Sequence, residues 1–240
     1  MPKVKEKNSH EAQSGALTKE ERKELLELTQ QRAATYGFLS RLYRREIDQV
    51  LLDEIMEMRF PASTGNTNVD KGYLLIVTFL GKVWENSITE LAIDYSKTFI
   101  GHGVDAFSAA YPFESVYTSE KRLLMQDARD EVLEIFRKAG LVKQTGWKES
   151  EDHISVEMEY IIILCNRTIE ALEKGDEDKA FDLLMNQRKF LIDHLIAWTP
   201  MLTIDIKRLA KTDFYKGLAW LTDGFLETDL QFLTDILCED

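Results

Sequence analysis

From residue 18 onward, apolar side chains recur mostly at three- to five-residue steps, the spacing that lines one face of an α-helix. Thr18-Lys19-Glu20-Glu21 reads as a capping box, in which the Thr hydroxyl and the Glu carboxylate each accept a backbone N–H at the helix start. Leu25, Leu28, Ala33, Tyr36, Leu39 and Tyr43 then trace one face. A short second helix is predicted over residues 50–58, and the turn formers of 60–68 mark a loop. Residues 73–80 form a short apolar run that fits a buried strand or a buried helix; with no partner strand nearby, helix is the better reading. Ser87 and Glu90 suggest another capping box, opening a helix to about Ile100 that Gly101-His102-Gly103 stops. An irregular connection follows to Tyr117. Helices are predicted over 119–139, 150–174 and 176–198, the first two closed by Gly140 and Gly175. Pro200 opens one more, and a last amphipathic helix covers 213–237. The expected fold is all-α, a single-domain helical bundle of about eight to ten helices over residues 17–240, with a loop or hinge near 101–117 and a mobile polar tail at 1–16. No fixed-period repeat is found, and the Trp/Leu/Gly/Tyr signature of tetratricopeptide repeats is missing.

Composition narrows the function more than the fold. The chain is 44% apolar with only 4 Pro and 12 Gly, enough to fill a core and too few breakers for low complexity. Its longest apolar runs, such as 160–165, fall far short of the ~18 residues a membrane span needs. With 30 basic and 42 acidic residues the net charge is −12, opposite in sign to a domain that coats phosphates. Nucleic acid is therefore not an expected partner, and a basic protein or peptide is. Two cysteines, Cys165 and Cys238, make neither a disulfide framework nor a zinc cluster, and the polar start lacks the apolar run of a secretory leader, which predicts a cytoplasmic location.

No phosphate loop or Gly-x-Ser-x-Gly elbow occurs, and Gly101-His102-Gly103 lacks the third glycine of a dinucleotide fingerprint. His153 and His194 follow Ser150 and Leu191 by three residues, not the Glu of a di-iron bundle. The chain is expected to be no enzyme and to carry no cofactor and no metal.

Two acidic, aromatic clusters remain. Tyr111-Pro112-Phe113-Glu114-Ser115-Val116-Tyr117 sets three aromatics within seven residues; these either anchor the loop to the core or wall a groove whose polar handles are Glu114 and Ser115. Glu149-Ser150-Glu151-Asp152-His153 sits at a predicted helix start. Capping by Ser150 accounts for the acids there, but not for a His at the positive end of a helix. His153 and Glu157, four apart, share a face that suits a metal only with a third ligand, which is not evident. Six acids against Lys97 lie between Val83 and Glu120, and five acids with no base between Glu149 and Glu159. If the two clusters face each other, they form an acidic, aromatic-lined cleft suited to a peptide carrying arginines and apolar residues.

On these residues the chain resembles the TorD/DmsD/NarJ family of cytoplasmic chaperones for molybdenum-containing oxidoreductases. Tyr111–Tyr117 matches the family's Tyr-rich segment ending in Glu-Ser-x-Tyr, and Glu149-Ser150-Glu151-Asp152-His153 matches its Glu-Pro-x-Asp-His signature. Gly140-Leu141, the stretch from Asp94 to Gly101 and the stretch from Tyr36 to Tyr43 are also similar. Ser150 departs from the family's usual Pro, as does His102. The resemblance implies a non-catalytic helical protein, monomer or domain-swapped homodimer. Its partners would be the twin-arginine signal peptide and the apo-oxidoreductase catalytic subunit; it would aid cofactor insertion and delay export until the client is folded. Carried over by position, the expected peptide-binding residues are Asp152 and His153, then Glu114, Ser115 and Tyr117, then Tyr111 and Glu149. Asp152 and Glu114 would pair with arginine, Tyr111 and Tyr117 would line an apolar channel, and His153 would orient the carboxylates or sense protonation near neutral pH. The alternative is a helical adaptor or scaffold whose acidic face docks another basic protein.

Overall fold

The first helix, α1 (Lys19–Arg44), begins at the capping box read from sequence: Glu21 N–H donates to Thr18 Oγ1 (3.2 Å), and Thr18 N–H to Glu21 Oε2 (2.7 Å). The computed structural model describes residues 17–101, 108–120, 122–143 and 147–238; the polar tail read over 1–16 and part of the hinge near 101–117 lie outside them. After α1 come α2 (Gln49–Glu57), α3 (Thr67–Leu80) and α4 (Ser87–Tyr95), then the short α5 (Glu114–Thr118) and α6 (Asp127–Lys138). The carboxyl-terminal half is α7 (Ile154–Lys174), α8 (Glu177–Phe190), α9 (Ile196–Leu209) and α10 (Asp213–Cys238). Helices alone build the fold, and among the described residues no strand forms beyond one isolated bridge, Phe113 with His153.

The helices pair across long stretches of sequence. α1 packs along α7 and α7 along α8, while α10 packs against α3, α9 and α8. The α3–α10 pair is a backbone-to-backbone contact made possible by glycine. A Cβ on Gly72 would sit 2.6 Å from Leu221 N, one on Gly217 2.8 Å from Gly72 O, and one on Gly224 2.6 Å from Val69 N. Between the pairs lies a core whose largest fully buried side chains include Trp198, Tyr36, Tyr43, Tyr215 and Phe214. Polar bonds inside this core tie α1 to α10: Arg32 pairs with Asp229, which also accepts from Tyr36 Oη (2.7 Å), and Tyr43 Oη meets Thr222 Oγ1 (2.8 Å).

Six features differ from the sequence reading. α3 begins at Thr67, inside the stretch read as a loop and six residues ahead of the apolar run, because Asn66 caps it there, and α5 forms within the connection read as irregular. Ser87 is the first residue of α4 rather than its cap, and its hydroxyl accepts the Trp84 N–H instead. The helix read from 119 begins only at Asp127, because the preceding turn takes Arg122 and Met125 through positive φ (50° and 56°), which a helix cannot contain. α7 begins at Ile154, capped by His153 and not by Ser150. Pro200 opens no helix: α8 and α9 run together through a π-helical turn, Leu191–Leu195, with Pro200 inside α9. A proline in a helix interior frees a carbonyl and crowds the turn before it, and a wider π turn upstream is one way a helix absorbs that strain. α4 continues to Ile100 as read, its last five residues again π-helical.

Candidate functional site

The two signature segments meet. Ile154 N–H donates to Pro112 O (3.0 Å) and Glu114 N–H to Asp152 O (2.9 Å), clasping residues 112–114 to 152–154 in one antiparallel bridge. Asp152 strengthens the clasp from inside: its Oδ2 accepts the Ser115 N–H (3.1 Å) and the Ser115 hydroxyl. Ser115 Oγ in turn accepts the Gln126 N–H (3.2 Å), which fixes where α6 begins. Asp152 and Ser115 are fully buried and Glu114 almost so.

His153 answers the question its position raised. As the N-cap of α7 it is an acceptor, its Nδ1 taking the Ser155 N–H (3.1 Å) and lying 2.8 Å from the Ser155 hydroxyl. Burial, then the charge of Arg44, pushes its pKa down to about 3, so the ring is neutral at physiological pH. A neutral imidazole is compatible with the positive end of a helix, where its cation would not be. This corrects the expectation of a protonation sensor near neutral pH.

Behind the clasp lies a second polar layer that sequence reading did not assemble. His194, on the π turn, faces Glu114 Oε2 with its Nδ1 at 3.0 Å. Glu157, fully buried on α7, accepts from Trp198 Nε1 (3.1 Å). Burial first and the Glu114 charge second hold the Glu157 carboxyl well above the usual carboxylate range. The available signal was periodicity: Glu157 lies between Ile154 and Ile161 on the buried stripe of α7, where a carboxylate is out of place without a partner.

The other expected residues divide. Tyr117 stacks on Trp198 (centroids 5.7 Å apart) and reaches Asp205 with its hydroxyl (3.3 Å), facing α9. Tyr111 Oη bonds Ser108 Oγ (2.9 Å) beside Gly101. The two tyrosines thus do not share a channel. Glu149 stands at the rim of a cleft of about 670 Å³ whose apolar floor includes Ile47, Ile88, Ala92, Tyr95 and Phe99. Pro112, Phe113 and His153 wall it, the Phe113 ring edge-on to His153 at 4.8 Å. Its polar edge carries Glu46 and Asp48 as well as Arg44 and Arg45; Arg44 lies over Trp147 (3.7 Å), and Arg45 pairs with Asp48 (3.6 Å). Glu151, the acid between the signature residues, is held by Arg129 (2.9 Å) and Lys143 (3.2 Å). Asp152 and Glu114, expected to meet an arginine directly, are instead enclosed and committed to the frame. Among the described residues, no three His, Cys, Asp or Glu side chains gather as a metal site would need.

A family model described as nitrate reductase delta subunit matches residues 65–203. Similar curated proteins include the chaperone protein TorD of Aliivibrio salmonicida, 25% identical over 88% of this chain and 98% of its own length. Those of Vibrio atlanticus (28% identical; 85% and 95%) and Photobacterium profundum (28% identical; 88% and 97%) carry the same name.

Proposed function

Because the chain belongs to the nitrate reductase delta subunit family, and its similar curated relatives are named chaperones, we propose the following reading of its site. The protein is a maturation chaperone for a molybdenum-containing oxidoreductase and not an enzyme. It works in the cytoplasm, binding the twin-arginine signal peptide of its client and keeping the client from export until its cofactor is in place.

The observation that carries this reading is the cleft walled by Phe113 and His153. An apolar floor with carboxylates at its edge suits a peptide whose apolar stretch follows basic residues. The signature residues then act in two ways. Asp152, Ser115 and Glu114 hold the clasp that sets the wall; Phe113, His153 and Glu149 face the peptide, and Tyr111 and Tyr117 brace the segment at either end. Among the described residues no helix is long and apolar enough to cross a membrane.

The test is calorimetric titration with synthetic signal peptides from the molybdoenzymes of the source organism, each with a control in which both arginines are lysine. Binding of one peptide that is lost with its lysine control is the expected result, since lysine lacks the bidentate guanidinium fork. Equal binding of both forms would favour a general basic-protein adaptor, and silence across the panel would refute the peptide site.

A further inference from the structure

The basic end of α1 divides its work unevenly. Arg41, Arg44 and Arg45 cluster at the helix carboxyl terminus, where cations suit the exposed carbonyls. Arg41 and Arg45 both reach Asp48, the N-cap of α2, at 3.2 and 3.6 Å. Arg44 does not share that acid. Its Cζ lies over the Trp147 ring, 3.7 Å from the centroid, and among the described residues it makes no ion pair and no hydrogen bond.

Arg44 is also part of the wall of the apolar cleft, with Phe113 and His153. Its charge is felt at the His153 ring, where it adds to burial in keeping the imidazole neutral. The helix dipole alone would account for a base at this terminus, but not for one held in a fixed orientation. Trp147 packs against the core, so the stack is anchored. Stacking occupies the face of the guanidinium and leaves its planar fork of N–H donors unspent.

The charges of the cleft can be sorted by whether they are already matched. Arg45 and Asp48 match each other. Glu46, Glu149 and Arg44 line the cleft with no ion pair among the described residues. A complementary ligand therefore carries an anionic group as well as an apolar portion and basic groups. Beside an apolar floor, a preoriented fork and a carboxylate form a strong bidentate bond, because little water competes for either.

We propose that Arg44 is a specificity-determining residue of this cleft and receives a carboxylate of the bound peptide. The inference rests on the peptide reading above and deepens it. The ligand is a segment in which an acidic group accompanies the apolar stretch and the arginines, and a purely basic, apolar peptide is the poorer ligand.

Two probes separate this proposal from the reading it rests on. The first is the panel of signal peptides with both termini blocked, made also with each acidic residue exchanged for its amide, and again with a free carboxyl terminus. These are titrated by calorimetry against the wild type, R44Q and R44K. The second is phenylacetate, an apolar carboxylate, with phenylacetamide as control, followed by NMR shifts of Phe113 and His153. Removing the carboxylate should weaken the peptide about tenfold in the wild type and hardly at all in R44Q, the size of one charge-assisted bond. R44K, which keeps the charge and loses the fork, should recover only part of that preference. A preference that follows the side chain or the free terminus supports the proposal and names the source of the carboxylate. An R44Q that weakens the acid and amide forms equally would make Arg44 a strut for Trp147 and overturn it. So would an arginine-dependent peptide that binds as tightly without its carboxylate, a result that spares the peptide reading. Saturable shifts with phenylacetate, absent with its amide and in R44Q, in a protein silent to every peptide would uphold the subsite and sink that reading. Silence to both probes would overturn both.

Discussion

His153 shows how one side chain can be misread in its charge and still be noticed for its place. A histidine at a helix start invites a functional explanation because its cation is wrong there; the fold resolves the conflict by burying the ring neutral as a cap. Its folded pKa of about 3 lies below the unfolded value of 6.5, so the unfolded chain binds the extra proton between those pH values. Stability is therefore unaffected above pH 6.5 and falls as the pH drops beneath it, by up to ~1.4 kcal/mol per unit. His153→Asn, which caps without titrating, should show a shallower acid loss in denaturant melts recorded from pH 7 to 4. Glu157 has the opposite sign. Its folded pKa is raised, so its stabilising share is full below the unfolded value of 4.5 and is lost as the pH climbs toward the folded value. Glu157→Gln keeps an acceptor for Trp198, and its stability relative to the parent should rise between pH 5 and 8; a constant difference would mean that Glu157 is ionised in the fold. Removing Asp152 altogether (Asp152→Ala) strands the buried Ser115 N–H and hydroxyl, and about 2–4 kcal/mol of stability should go with it. Apart from the His153 cap on Ser155, these environments are not local in sequence, since 37 residues separate Ser115 from Asp152 and 80 separate Glu114 from His194. The pattern identified the signature residues, but only the fold shows which are committed to one another.

Among the elements, periodicity located nearly every helix and misplaced mainly their junctions. Caps with a single local partner, such as Thr18 with Glu21, were legible because the motif is complete within four residues. The α8–α9 junction was not. Proline near a helix start and proline tolerated by an upstream π turn look alike in sequence, and packing of Trp198 and Leu202 into the core decides between them. The start of α10 was read at 213, where it is found, but the part of its cap that comes from another element was not legible. Asp94 on α4 accepts the Lys211 and Thr212 N–H groups (2.9 and 2.7 Å) and the Thr212 hydroxyl (2.7 Å). The glycine contacts of α3 and α10 give the sharpest element-level expectation. Gly217→Ala gains helix propensity worth about 1 kcal/mol, yet its Cβ collides with the Gly72 carbonyl. Overpacking against backbone should win, for a net loss of ~1–3 kcal/mol that lowers the urea midpoint, whereas a midpoint that rises would show that the helices can slide apart at little cost.

Across the whole molecule, the fold class followed from the absence of breakers and the helical rhythm, whereas the apolar cleft beside the signature segments did not. That cleft depends on the end of α1 and the face of α4 meeting a clasp made by other segments. Net charge belongs to this scale too. At −12 the protein attracts a basic peptide from a distance, and screening shortens that reach to about 8 Å at physiological ionic strength. Raising salt from low to physiological levels should slow association with the proposed signal-peptide ligand more than it speeds dissociation, a split that stopped-flow fluorescence resolves.

The embrace of Gly72 by Gly217 also sets a schedule. About 150 residues separate the two, which at the usual 5–20 residues per second is roughly 7–30 s of ribosome time. Throughout that interval the α3 face that α10 will cover has no native cover, so the nascent protein passes through an unfinished stage that only its last helix closes.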